Sequence, residues 1–442
     1  MSKLEAILDL VREYVQEKDN TWDPSKDWVS YSGNVFSSDE YEAAIRVLLD
    51  EWLVFGKNGR KFELKFPSYL GKRMGCLTNS GSSANLLAVS SLRSKNTYSL
   101  PEGSKFITPV VCFPTTLNPL LQNGFKPVFV DVTLPDANLD LDQMEKALQE
   151  DPTIKGVIIA PAMGNPPNMD RFMELVEKYD LIFIEDACDS LGGFYDGKKL
   201  GSFGEISTCS FYPAHHMTLG EGGFVATNNG KIRKTVSSLR DWGRACYCNQ
   251  GKPGCSVAST ACGNRFKNWL KALPDATYDH RYVYDEIGYN IRPLDLQAAI
   301  GLEQLKKLPD FEKARRDNFK RLKEIFEPYK EFFYLPEPTP KADPCWFGFL
   351  MTVKEDAPFT KQQIVNWIEE NRIQTRSYFA GNILYHPGYA ELASKYDNLN
   401  DEFPVAKLIT TNSFFLGTFI GITEEKMNYI EEVVNKFFER MK

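Results

Sequence analysis

The chain has 442 residues, 43% of them apolar and 25% charged, which is enough for two or three domains with sizeable cores. Its 52 Lys and Arg against 59 Asp and Glu leave a net charge of −7, which argues against a nucleic-acid partner or an anionic membrane surface. The longest apolar run, at 414–422, is interrupted by Gly417 and Thr418 and is too short to span a bilayer. The opening residues are charged (Lys3, Glu5, Asp9, Arg12, Glu13), so no secretory apolar core is expected. Nine cysteines in such a chain predict reduced thiols in a cytoplasmic protein rather than a disulfide framework.

In chain order, Leu4, Ile7, Leu8, Val11 and Val15 recur at helical spacing, so a helical segment is expected to about residue 71. It includes an aromatic, turn-rich stretch at 22–32. A large domain is expected over 72–329. There, short apolar runs at 105–113, 127–132, 156–162, 181–185, 207–212 and 223–227 alternate with helical patterns at 84–92, 141–149 and 170–179. Strands that are apolar on both faces and alternate with helices predict an α/β fold around a mixed, mainly parallel sheet. A looser insertion at about 241–274 holds four of the nine cysteines, and helical periodicity returns at 293–326. A smaller α/β domain is expected over 330–442, with a strand at 347–353 and helices at 361–371 and 424–438.

Three segments carry candidate chemistry. The run Leu-Ile-Phe-Ile-Glu-Asp at 181–186 ends a buried strand in Asp186, at the carboxyl edge where parallel sheets bind ligands; a capping or loop aspartate is the plainer reading. Asn-Ser-Gly-Ser-Ser-Ala-Asn at 79–85 opens a helix, and its amides could cradle a phosphate; alternatively, Ser82 or Ser83 simply caps the helix. Ser-Phe-Tyr-Pro-Ala-His-His at 210–216 follows another strand and is followed by Gly-Glu-Gly-Gly at 220–223. Adjacent histidines point in different directions, so one reactive His beside a structural one is more plausible than a metal pair.

In this order, the segments resemble the sugar aminotransferases of the aspartate aminotransferase fold (fold type I), the DegT/DnrJ/EryC1/StrS family. The resemblance covers nearly the whole chain and implies pyridoxal or pyridoxamine 5'-phosphate as cofactor. It implies that Asp186 pairs with the pyridinium nitrogen, that Gly81, Ser82 and Ser210 meet the phosphate, and that Phe113 stacks on the ring. Gly-Tyr-Asn-Ile-Arg at 288–292 matches the family motif whose Asn reaches the phosphate of the other subunit, which implies a homodimer with Asn290 crossing between sites. Tyr31 and Tyr212 are expected near the site or merely in its packing.

One departure from the family is informative. Its aminotransferases place a Schiff-base Lys five residues after the motif Ser, and here that position is His215; no Lys lies between Lys199 and Lys231. A His cannot hold the cofactor covalently, but it can act as a general base near neutral pH. In this respect the chain resembles the 3-dehydratases of deoxysugar synthesis. The cysteines then select among them. Cys188 lies two residues after Asp186, 57 residues separate it from Cys246, and one separates Cys246 from Cys248. The pattern resembles the C-x57-C-x-C-x7-C of dehydratases that carry a 2Fe–2S cluster, since such clusters take four thiolates. Cys255 follows Cys248 after six residues and Cys262 after thirteen; Cys262 is favoured as the fourth ligand because Cys-Gly-Asn-Arg-Phe resembles the family's context there.

The resemblance implies removal of the carbon 3 hydroxyl from a CDP-4-keto-6-deoxyhexose, with His215 as the base and the ring as electron sink. Electrons would come from a separate NADH-dependent flavin and iron–sulfur reductase, in 3,6-dideoxyhexose synthesis for lipopolysaccharide O-antigen. Two alternatives stay open: a cluster-free pyridoxamine phosphate 3-dehydratase that uses glutamate, and a non-catalytic fold-type I binding module.

Overall fold

A computed structural model describes residues 2–18, 21–246 and 265–441. Its centre is a seven-stranded sheet built from β1 (Met74–Thr78), β2 (Lys105–Pro109), β3 (Lys126–Val130), β4 (Ile154–Ile159), β5 (Ile182–Asp186), β6 (Ile206–Ser210) and β7 (Gly223–Thr227), in the order β1-β7-β6-β5-β4-β2-β3. Strands β2 to β6 pair in parallel, while β7 runs antiparallel to both β1 and β6. The expected mixed, mainly parallel sheet is therefore present. Strand β1 was not among the expected apolar runs; Gly75 and Thr78 dilute its pattern.

The apolar runs fill both faces of the sheet, as a covered parallel sheet requires. On β5, Phe183 packs with Phe172 and Leu175 of the helix Met169–Lys178, while Ile184 faces the opposite core with Val110 and Leu117. A second sheet of four short antiparallel strands is ordered Phe333–Tyr334, Gly348–Val353, Ser413–Gly417 and Arg376–Ser377. The 32-residue helix Asp295–Phe326 links the two. Its first half packs Ala298, Leu302 and Leu305 beside Phe62 and Leu219, and its second half packs Phe319, Leu322 and Phe326 under the four-stranded sheet. Among the described residues, no helix is long and apolar enough to cross a membrane.

Candidate active site

The carboxyl ends of β5 and β6 and the start of the helix Gly81–Arg93 open onto one pocket of about 450 Å³. Gly81, Ser82, Phe113, Asp186, Cys188, Ser210 and His215 all line it, together with Tyr31 and Tyr212. Seven of the sequence-derived site residues, spread over more than 130 positions, thus converge where a parallel sheet leaves its crevice.

Each is held by its local chain. The helix is capped by Ser80, whose hydroxyl accepts from Ser83 N at 3.1 Å; neither Ser82 nor Ser83 is the cap. This corrects the capping alternative and leaves Ser82 free on the pocket wall. Gly81 is required: a Cβ there would run into the Ser210 side chain, and one on Gly223 would run into the Ser80 carbonyl. The cradle is thus closed to side chains and open to an anion, with amides and a helix dipole aimed at it. Asp186 is buried, and its Oδ2 accepts from Asn85 Nδ2 at 2.8 Å and Thr116 Oγ1 at 2.9 Å. Thr208 in turn donates to Asn85 Oδ1, fixing that amide's orientation. Phe113 is 48% exposed although it sits at a pocket wall, with its ring edge-on to Phe379 at 5.7 Å. A carboxylate, an amide-and-hydroxyl cradle and an open aromatic face are the donor set that a pyridine ring bearing a phosphate needs.

His215 lies 3.3 Å from Asp189 by its Nδ1, without the alignment of a hydrogen bond, and its ring is 5.4 Å from that of Phe347. Next to it, His216 is fully packed in the interior and donates Nε2–H to the Cys345 carbonyl at 2.6 Å; burial holds it well below the usual histidine range. One histidine faces the pocket and the other is closed into the interior. The backbone carrying both is gripped by Arg315, which is buried and forms no ion pair among the described residues. It donates to the carbonyls of Ala214, His215, Trp346 and Phe347 and to Thr418 Oγ1. Burial pulls its guanidinium down to about 10.

Sequence reasoning missed Asp189, Asn85, Thr116, Phe347, Tyr378 and Phe379. Asp189 and Asn85 had a local signal: Asp189 follows Asp186 by three residues, and Asn85 follows Gly81 by one helical turn. The aromatic residues come from the second sheet and had none.

Two expected residues are not brought into this pocket. Asn290 is exposed, bridges to Asp241 through its backbone and does not line the pocket of its own chain. Cys246 is half-buried outside the pocket. Cys248, Cys255 and Cys262 lie outside the described residues. Burial, with the Asp186 carboxylate next, pushes the Cys188 thiol well above its usual range. Among the described residues, no group of three or more His, Cys, Asp or Glu could hold a metal.

The DegT/DnrJ/EryC1/StrS aminotransferase family model matches residues 35–435. The chain belongs to this family. It is 40% identical over 438 residues to the lipopolysaccharide biosynthesis protein RfbH of Salmonella typhimurium, covering 98% of each chain. It is 39% identical over 434 residues to dTDP-4-dehydro-2,6-dideoxy-D-glucose 3-dehydratase of Saccharopolyspora spinosa, covering 98% of this chain and 91% of that one. Among solved structures, it resembles E. coli GDP-4-keto-6-deoxy-D-mannose-3-dehydratase with bound hydrated PLP. There the TM-score is 0.78 at 26% identity, over 92% of this chain and 100% of the other. The fold-type I architecture follows from the family match and this likeness.

Proposed function

We propose that the chain is a sugar-nucleotide 3-dehydratase of deoxysugar biosynthesis that uses pyridoxamine 5'-phosphate without a covalent link. The observation that carries this reading is His215. It lines the pocket five residues after Ser210, where the family's aminotransferases have Lys, and no Lys is among the described residues lining the pocket. When bound, the cofactor supplies an amine for the keto carbon of the sugar and a ring that withdraws electrons. Asp186 keeps the ring nitrogen protonated, Gly81, Ser82 and Ser210 hold the phosphate, and Phe113 covers the ring. His215 would take a proton at the methylene carbon of the cofactor and return it to the carbon 3 hydroxyl, which would leave as water. Asp189, 3.3 Å from Nδ1, places a carboxylate beside the ring as it takes up the proton. Asn290 reaches the phosphate of the partner subunit in a homodimer.

The finer reading is CDP-4-keto-6-deoxyglucose as substrate and a 2Fe–2S cluster on Cys188, Cys246, Cys248 and Cys262, served by an NADH-dependent reductase. It is supported by the cysteine spacing and by the place of Cys188 on the pocket wall. The cluster would supply single-electron transfer. The test is anaerobic purification with iron and sulfide analysis, followed by gel filtration and re-addition of pyridoxamine phosphate. The expected result is bound iron and sulfide, with turnover that disappears on filtration and returns with the cofactor. A borohydride-trapped cofactor on a Lys would overturn the non-covalent reading. Iron-free turnover sustained by glutamate would identify a cluster-free dehydratase, and absence of turnover with the iron and cofactor bound would favour a binding module.

A further inference from the structure

We propose that Arg376, stacked on Tyr31 at the pocket rim, docks the diphosphate of a nucleoside diphosphate ligand; the inference rests on the sugar-nucleotide reading above. It starts from a charge mismatch. Asp186, Asp189 and Glu221 line the pocket, and no Lys or Arg is among its described lining residues. A diphosphate entering such a site needs a cation that the interior does not offer.

Arg376 is placed to supply it. Its guanidinium carbon lies 4.3 Å from the ring centroid of Tyr31, which itself lines the pocket. Tyr31 is fixed from three sides. Its amide donates to Gln374 Oε1 at 3.3 Å, Phe415 meets its ring edge-on at 5.9 Å, and Gly417 packs so closely that a Cβ would collide with the Tyr31 backbone. Arg376 pairs with Phe415 in the strand register, so strand and ring form one platform. The side chain is exposed. It donates Nη1–H to the Thr375 carbonyl at 2.7 Å and forms no ion pair among the described residues. One donor of five is therefore spent, and the remaining four form the kind of fork that suits phosphate oxygens. Two and three residues further on, Tyr378 and Phe379 line the pocket, so the chain that carries Arg376 continues into the wall. A ligand with its sugar inside the pocket would lay its diphosphate across this rim. The arrangement grips phosphates and does not read a base.

Calorimetric titration of the cofactor-loaded protein with CDP, GDP and dTDP separates the outcomes, because it needs no turnover. Arg376→Gln is expected to weaken whichever of these diphosphates the wild type binds by about 10- to 150-fold, the range for losing hydrogen bonds to a charged group. Arg376→Lys should restore only part of this, because an ammonium cannot form the bidentate pair. The pyridoxamine phosphate absorbance and the thermal midpoint should not move. Equal affinity in wild type and Arg376→Gln would overturn the role of Arg376 and leave the dehydratase reading standing. Failure of the wild type to bind any of the three would overturn the sugar-nucleotide reading and this inference with it.

Discussion

Glu185 and Asp186 are consecutive on β5, equally buried, and turned to opposite faces of the sheet. Glu185 points away from the pocket and accepts from the amides of Gly201, Phe203 and Gly204, closing a loop whose carbonyls also receive the ammonium of Lys72. Both of its carboxylate oxygens are engaged within the chain. Asp186 points into the pocket, where, among the described residues, Asn85 and Thr116 donate to one of its oxygens and the Cys188 amide donates to the other at 3.3 Å. The period of two along a strand converts adjacent carboxylates into a strut and a ligand-facing group. The same division separates His216, closed into the wall, from His215 on the pocket side.

Three measurements break or sharpen this comparison. The largest effect is expected for Glu185→Ala, which leaves three buried amides without acceptors at about 1–3 kcal/mol each. Denaturant unfolding should therefore show several kcal/mol lost, and near-wild-type stability would end the strut assignment. Asp186→Asn should do the reverse. Cofactor affinity, read by absorbance titration, falls about 10- to 150-fold with loss of a charge-assisted bond, while the unfolding midpoint stays near wild type. A large loss of stability with unchanged affinity would mean that the two carboxylates have been assigned the wrong way round. The smallest effect is that of His216 and is read against pH. Its folded-state affinity for protons is depressed by burial, so below about pH 6.5 the unfolded chain takes up a proton that the folded chain refuses. Stability is then full above that pH and falls as pH drops, by at most about 1.4 kcal/mol per unit. Thermal melts of His216→Leu between pH 5 and 8 should show a shallower acid-side decline; an unchanged slope would place the titrating group elsewhere.

What was legible in the sequence lies in short segments where one element ends and another begins. Asp186 could be placed because an apolar run stops at it, Gly81 because a small-residue run opens a helix, and His215 because it occupies a spaced position after Ser210. The parallel sheet was legible from runs apolar on both faces. Phe347, Tyr378 and Phe379 were not, because they reach the pocket from another sheet more than a hundred residues away in sequence, and no local period encodes that approach. The helix cap was ambiguous for a different reason. Ser80, Ser82 and Ser83 all have the right hydroxyl, and only the exit of β1 decides that Ser80 takes the extended conformation a cap requires. The cysteines divide likewise: Cys188 follows a strand end and falls on the wall, whereas most of the remaining spacing lies outside the described residues.

The seam between the two sheets is unequal along its length. On the His215 side, one buried guanidinium ties five oxygen atoms from both banks together. On the opposite side, Phe113 and Phe379 meet edge to face, and the backbone beside them is tied across the seam by Ala380 N–H to the Cys112 carbonyl at 3.2 Å and Ile383 N–H to the Val110 carbonyl at 2.9 Å. Both ends are thus held by hydrogen bonds, so a ligand meets walls that are already in place and need not bring the two sheets together.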